Sequence, residues 1–287
     1  MIKLIHILFF FTILISCKKQ NVSSTQAVEP KLENQQIFKL YSEQVKDTFT
    51  IFVGLPEGIG SLPDTPYPVV YLLDANFYFS MVYEMLKKYN DVGLIKPLIL
   101  IGIGYNNLHT MDSLRCRDYT YPQALTDYEM STSGGAKIFL EFIKKELNPK
   151  IEKEYSVDTF KRILMGHSLG GYFTIFALLH DLSQNDVFFN GYIAASPSCH
   201  YNNNYILETY KHNHFIPNKR TQLFVTFGGL EDQEDHEIIR SDTVIKTLDE
   251  LLRYKIKYHS TLFSNLGHME TAMPSFHKGL QSLLEVE

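Results

Sequence analysis

Ser168 lies in the run Gly166-His167-Ser168-Leu169-Gly170-Gly171, between the apolar stretch Arg162 to Met165 and the apolar stretch Tyr172 to Leu179. Gly-x-Ser-x-Gly between a strand and a helix is the pattern of a nucleophile elbow. A serine on such a turn adopts a strained backbone, and a side chain next to it would strike the neighbouring strand or helix, hence the glycines. The helix that follows favours negative charge at its N-terminus. The chemistry this implies is attack of a hydroxyl on an acyl carbon. An ordinary hydroxyl is a poor nucleophile, so an oriented base must lie close by.

The order in this kind of site is serine, acid, histidine. Of the chain's 11 histidines, His268 fits the base best, because it follows the last expected strand on the short loop Ser264-Asn265-Leu266-Gly267. His200 is the rival, since it falls on the same rim. His167, inside the elbow, is expected to point away from Ser168 and to be packed or hydrogen-bonded. The acid should follow the preceding strand, where Gly228-Gly229-Leu230-Glu231-Asp232 offers two carboxylates. Glu231 is preferred, three residues after the start of the turn; Asp232 is then a surface charge or a cap for the next helix. A carboxylate there orients the imidazole and stabilises its cation. The oxyanion needs two backbone N–H groups. Leu169 supplies one, and the loop Leu73-Asp74-Ala75-Asn76 the other, with Asn76 the first candidate and Ala75 the second. His212-Asn213-His214 has metal-like spacing without an apparent third ligand, so neither metal nor cofactor is expected.

These residues need a scaffold. Thr48 to Val53 alternates and meets Gly54-Leu55-Pro56, which reads as an antiparallel strand. Pro68 to Leu73, Leu98 to Ile103, Arg162 to Met165, Gly191 to Ala195, Leu223 to Phe227 and Ile256 to Phe263 read as further strands. Phe79 to Tyr89, Ala136 to Leu147 (with a break at Pro149), Tyr172 to Leu179 and Ile238 to Tyr254 have helical spacing. Residues 105–135 carry no clear period. Strands alternating with helices imply an α/β fold with a mostly parallel central sheet and helices on both faces. Ligands of such sheets bind at the carboxyl ends of the strands. Ser168, Glu231 and His268 all fall there.

The chain has 287 residues, 45% hydrophobic and 21% charged, which suits one globular domain after an atypical start. A net charge of -5 and no basic stripe argue against nucleic acid as a partner. Leu4 to Ile15 is almost wholly apolar and ends in Leu14-Ile15-Ser16-Cys17, followed by two lysines. That length suits a signal peptide rather than a membrane span. Residues 1–17 resemble a bacterial lipoprotein signal in which Cys17 is lipidated; a plain secretory signal or an uncleaved anchor, with Cys17 incidental, is the alternative. Residues 18–35 read as a polar tether and 36–287 as the catalytic domain. The implied location is the bacterial cell envelope, periplasmic and anchored to a membrane at Cys17. Cys116 and Cys199 remain, either as a disulfide or as two buried thiols.

With those residues assembled, the sequence resembles the esterase family of α/β-hydrolases that includes the siderophore (enterobactin and salmochelin) esterases and S-formylglutathione hydrolase. The segments are "VGLPEG", "YPVVYLLDAN", "LIGIGY", "RCRDYT", "GGAKIFLEFIKKELNPKIEKEY", "LMGHSLGGYF", "AASPS" and "GHME", spread over residues 48–280. The chain departs from the family in Ala75, where Leu-Asp-Gly is usual, and in Cys199-His200, where an aromatic residue often stands. The resemblance implies the α/β-hydrolase fold and a serine esterase acting on a small-molecule ester, with siderophore-type esters the class it names. It also implies that Arg115 or Arg117 steers an anionic substrate or else pairs with Asp118 to hold its loop. Ser198 and His200 are implied as pocket residues, with Ser196-Pro197 setting a turn. An acyltransferase on the same triad and a non-catalytic binding module on the same fold are the other readings.

Overall fold

The computed structural model describes residues 34–59, 66–128, 130, 132–234 and 239–284. The leader 1–17, Cys17 and nearly all of the tether lie outside them. The strands are β1 (Gln35–Ser42), β2 (Asp47–Gly54), β3 (Tyr67–Leu72), β4 (Ile99–Gly104), β5 (Val157–His167), β6 (Gly191–Ala195), β7 (Gln222–Gly228) and β8 (Lys257–Phe263). They form one sheet in the order β1-β2-β4-β3-β5-β6-β7-β8. The β1–β2 and β2–β4 pairs are antiparallel, and every pair from β4 to β8 is parallel.

The helices are α1 (Ala75–Asp91), α2 (Leu108–Tyr119), α3 (Ala136–Phe142), α4 (Asn148–Glu154), α5 (Leu169–Gln184), α6 (Tyr201–Tyr210), α7 (Glu231–Glu234), α8 (Ser241–Leu252) and α9 (Ala272–Leu284). The central strands are apolar throughout because both faces are covered. Val70 and Leu72 face Phe79 of α1 with Phe276 and Leu280 of α9. Val69, Tyr71 and Leu73 belong to the opposite core, with Phe173 and Phe176 of α5 and Leu248 of α8. The expected mostly parallel sheet with helices on both faces is what the chain forms.

Three elements differ from the sequence reading. β1 was not foreseen, and it takes in Gln35, assigned above to the tether; it is an edge strand with Ile37 63% exposed, so its pattern does not announce burial. α2 lies in the stretch read as aperiodic. Only Asp118 and Tyr119 of its residues are buried, which leaves no apolar stripe to detect. The chain also does not break at Pro149. A π turn over Ile143–Leu147 leads directly into α4, where Pro149 sits at the first turn and its missing N–H costs nothing.

Candidate active site

β5 delivers its last residues into the elbow. Ser168 has φ 57° and ψ −118°, a left-handed conformation for a non-glycine residue, costing on the order of 1–3 kcal/mol. The surroundings impose it. The Ser168 N–H donates to the Ala195 carbonyl at 2.9 Å, and the Ser168 carbonyl accepts from Tyr172 N at 2.9 Å and Ser198 N at 3.1 Å. A Cβ on Gly166 would lie 2.5 Å from the Gly170 backbone, and one on Gly171 would lie 2.8 Å from the Ala195 carbonyl oxygen. The elbow therefore excludes side chains on both sides, against α5 and against β6.

A 3-10 turn over His268–Glu270, after β8, brings His268 to the serine. His268 Nε2 lies 2.9 Å from Ser168 Oγ, and His268 Nδ1 lies 2.9 Å from Glu231 Oε2. Glu231 is 7% exposed. Its other oxygen, Oε1, accepts from Ser196 Oγ at 2.6 Å and from the Gly228 N–H. Burial alone would raise this carboxyl. The hydrogen bonds from His268, Ser196 and Gly228 outweigh it and hold the group below its ordinary value. An ionised Glu231 can only accept, so Nδ1 of His268 carries the proton and the Nε2 lone pair faces Ser168.

Asp232 is spent elsewhere. Its Oδ1 accepts from Ser241 N at 2.8 Å and Ser241 Oγ at 2.9 Å, at the start of α8. The acid pair offered by the sequence thus divides into one carboxylate on the histidine and one helix cap.

His167 points away from Ser168, as expected, and it has a definite set of contacts. Its Nε2 lies 2.9 Å from the His268 carbonyl, which can only accept, so Nε2 donates and Nδ1 accepts from Tyr78 OH at 3.0 Å. The Thr271 hydroxyl donates to the same carbonyl at 2.8 Å. Burial pushes His167 down to about 4, against the opposing pull of the His268 carbonyl. Such a group keeps its full contribution above pH 6.5 and loses it as pH falls toward 4, where the unfolded chain binds a proton and the folded one does not. Stability is expected to fall by about 3 kcal/mol over that interval. Denaturant melts of wild type and His167→Gln across it check this; a variant with the same pH slope as wild type would contradict it.

Leu169 is the first residue of α5, and Ala75 and Asn76 are the first two of α1. Helix geometry leaves the N–H groups of those turns without intrahelical acceptors. Asp74, with φ 52°, turns the chain into α1. The Asn76 side chain is fully engaged: Oδ1 accepts from Tyr105 N at 2.6 Å and Nδ2 donates to the Tyr105 carbonyl at 3.0 Å. It ties the loop after β3 to the end of β4.

Arg115 and Arg117 are anchors. Arg115 holds Asp74 in a fork, Nε to Oδ1 at 3.0 Å and Nη2 to Oδ2 at 2.8 Å, with the carboxylate 3% exposed. Arg117 holds Asp118, Nε to Oδ1 at 2.7 Å, and also Asp47 at 2.8 Å. Both guanidiniums are engaged by carboxylates in this structure. Pairing with Asp118, the other possibility, holds for Arg117, while the partner of Arg115 is Asp74. The Arg115–Asp74 fork and the Arg117–Asp47 pair fix α2 against the sheet.

Ser198 and His200 line a concavity beside Glu231 and His268 whose far wall is Phe227, Ile239 and Val244. Ser198 Oγ lies 3.2 Å from Ser168 Oγ. The His200 carbonyl accepts from Tyr128 OH at 3.0 Å. His200 is thus a wall residue while His268 takes the serine. Ser196, read as a turn residue, has φ 41° and also supports Glu231. Cys116 and Cys199 are separate free thiols.

A family model described as "Putative esterase" matches residues 42–237. The chain belongs to this esterase family. The ferri-bacillibactin esterase BesA of Bacillus subtilis is 32% identical over 255 residues, covering 82% of this chain and 84% of that protein. Among solved structures, the BES protein from Bacillus cereus superposes with a TM-score of 0.72 at 28% identity, covering 94% of this chain and 98% of its own. An IroE-like serine hydrolase from Shewanella oneidensis gives a TM-score of 0.72 at 25% identity, covering 88% of this chain and 80% of its own. The sheet is therefore that of an ester hydrolase on the α/β-hydrolase fold.

Three features of this esterase's site had no signal in the linear sequence. The Ser196 support of Glu231, the Arg115–Asp74 fork and the Tyr78–His167 contact each join residues at least 35 positions apart.

Proposed function

We propose that Ser168 is the nucleophile, His268 the general base and Glu231 the residue that orients it, in the hydrolysis of siderophore-type carboxylic esters. The continuous chain from Ser168 Oγ through His268 to Glu231, with both links at 2.9 Å, carries the reading. In the first step Ser168 attacks the ester carbonyl carbon while His268 Nε2 takes its proton. The oxygen of the tetrahedral intermediate receives the N–H groups of Leu169 and Asn76. His268 then returns the proton to the leaving alcohol. In the second step water, deprotonated by His268, attacks the acyl carbon, and Ser168 leaves with its proton restored. No metal or cofactor takes part in these steps. Loss of one oxyanion donor in such a site costs about 3 kcal/mol of transition-state stabilisation.

The names of the relatives support the siderophore class. The concavity lined by Ser198 and His200 is where the substrate's acyl part enters in this reading. Incubating the purified protein with bacillibactin or enterobactin, with simple aryl esters alongside, tests it by mass spectrometry. Products gaining one water per bond cleaved are expected. Aryl ester turnover with intact siderophores would leave an esterase of another substrate class.

The Leu-Ile-Ser-Cys ending supports the further proposal that residues 1–17 are a lipoprotein signal, Cys17 is acylated and residues 18–35 tether a domain of residues 36–287 in the periplasm. Two or more acyl chains hold a protein stably where one does so only marginally. Cys17→Ser is expected to move the protein from the membrane to the soluble envelope fraction. Retention of the variant in membranes washed with high salt, which weakens purely electrostatic attachment, would contradict acylation at Cys17.

A further inference from the structure

The amino ends of the parallel strands form a second surface, opposite the rim that carries Ser168. β6, β7 and β8 begin in register there, with Gly191 beside Gln222 and Gln222 beside Lys257. Phe160, Lys161, Lys219, Arg220 and Lys257 line one concavity at this end. Three large apolar side chains stand out into solvent around it: Phe160 is 68% exposed, Ile216 61% and Tyr254 74%. The segment holding Ile216 and the turn holding Tyr254 are pinned side by side, since Asn218 N donates to the Lys255 carbonyl at 2.7 Å and Lys219 Nζ to the Tyr254 carbonyl at 2.9 Å. The Arg220 guanidinium lies 5.9 Å from the centre of the Phe160 ring.

The nearby carboxylates among the described residues are engaged. Asp158 lies 3.6 Å from Lys161, Glu152 takes Arg162 at 2.5 Å, and Asp249 takes Arg253. Lys219, Arg220 and Lys257 have no ion-pair partner among the described residues. A cluster of cations without ion-pair partners among the described residues, around exposed aromatic and aliphatic tips, stands out on a chain whose net charge is -5. The strand register adds an independent observation. Gln35 pairs with Gly54, and Gly54 pairs with Leu100 near the start of β4. The folded domain therefore begins at this same end of the sheet, and Tyr155 OH there bonds Gln36 at 3.1 Å.

We propose that this end of the esterase docks on an anionic phospholipid surface. Lipid phosphates meet Lys219, Arg220 and Lys257, and Phe160 with Tyr254 enters the interfacial layer, where amphipathic aromatic rings are favoured. Cations near an anionic leaflet add attraction that salt weakens. Docked in this way, the rim with Ser168 faces away from the bilayer, open to a diffusing substrate. The inference stands on this surface alone and does not depend on which ester is cleaved.

The chain contains no tryptophan. Phe160→Trp in the full chain therefore places a single indole reporter on the surface in question. With phosphatidylcholine–phosphatidylglycerol vesicles, a blue shift of its emission and quenching by brominated acyl chains are expected. With pure phosphatidylcholine vesicles neither is expected. Adding Lys219→Glu and Arg220→Glu is expected to weaken vesicle partitioning, read from the same emission, by at least about tenfold. Unchanged circular dichroism and esterase activity would show that this variant is folded. Emission that stays unshifted on anionic vesicles, or shifts equally on both kinds, overturns the proposal. So does a shift given by glycerophosphate or duplex DNA but by no vesicle.

Discussion

Replacing Ser168 with alanine is expected to lower kcat/KM by about 10⁴- to 10⁶-fold and to abolish labelling by a fluorophosphonate probe. His268→Ala should do the same, and the double variant should be no worse than either single one, because groups that act as a unit lose their function together. The neighbouring hydroxyl is not expected to compensate. Ser198 Oγ lies 3.2 Å from Ser168 Oγ, but it is Ser168 Oγ that sits 2.9 Å from His268 Nε2. Residual activity in Ser168→Ala should thus be unchanged by adding Ser198→Ala. Alanine keeps the Cβ and the backbone bonds of the elbow, so the melting temperature should stay near that of wild type. A folded Ser168→Ala protein that still takes the probe, or retains more than a hundredth of the activity, would place the nucleophile elsewhere.

The elbow and the alternation of strands with helices were legible in the sequence because both are local. Gly166 records a close approach to the backbone of Gly170, four residues on, and continuous apolar runs such as Val69 to Leu73 record burial on two faces. His268 was legible through its position after the last strand. The choice between Glu231 and Asp232 depended on counting along a turn, and only the contacts from Ser196 and Gly228 give it a physical reason.

What stayed hidden is long-range and polar. Arg115 and Asp74 are 41 positions apart, and nothing periodic links them. The fork explains what a substrate-steering reading could not, namely why an arginine is turned inward beside the loop after β3. An unpaired Asp74 in that position would be a buried charge, which the fold avoids by giving it two guanidinium hydrogen bonds. α2 itself escaped notice because it is held by those ion pairs and by a polar cap from Asn107, not by an apolar stripe.

The two acidic neighbours should separate cleanly on mutation. In Glu231→Gln, the oxygen position now occupied by Oε1 still receives two donors, Ser196 O–H and Gly228 N–H, so the amide oxygen must go there. That leaves the amide NH₂ facing His268 Nδ1. The imidazole can meet it only by moving its proton to Nε2, and in that tautomer it cannot accept from Ser168. A loss of about 10³- to 10⁴-fold in kcat with little change in KM is expected, and it should be steepest near neutral pH, where the wild-type base is neutral and correctly oriented. The same carboxyl lies below its ordinary value of 4.5, so its contribution to stability is full above that value and is lost as pH falls through the lower folded one; Glu231→Gln should flatten that part of the acid unfolding curve. Asp232→Ala should show the opposite pattern. It removes the one oxygen that accepts both hydrogen bonds from Ser241, so a loss of about 1 kcal/mol in stability with kcat within roughly twofold of wild type is expected. Should Asp232→Ala lose the activity and Glu231→Gln keep it, the histidine in the working enzyme would be oriented by the other carboxylate, and the turn after β7 would have to rotate by one residue to bring it there.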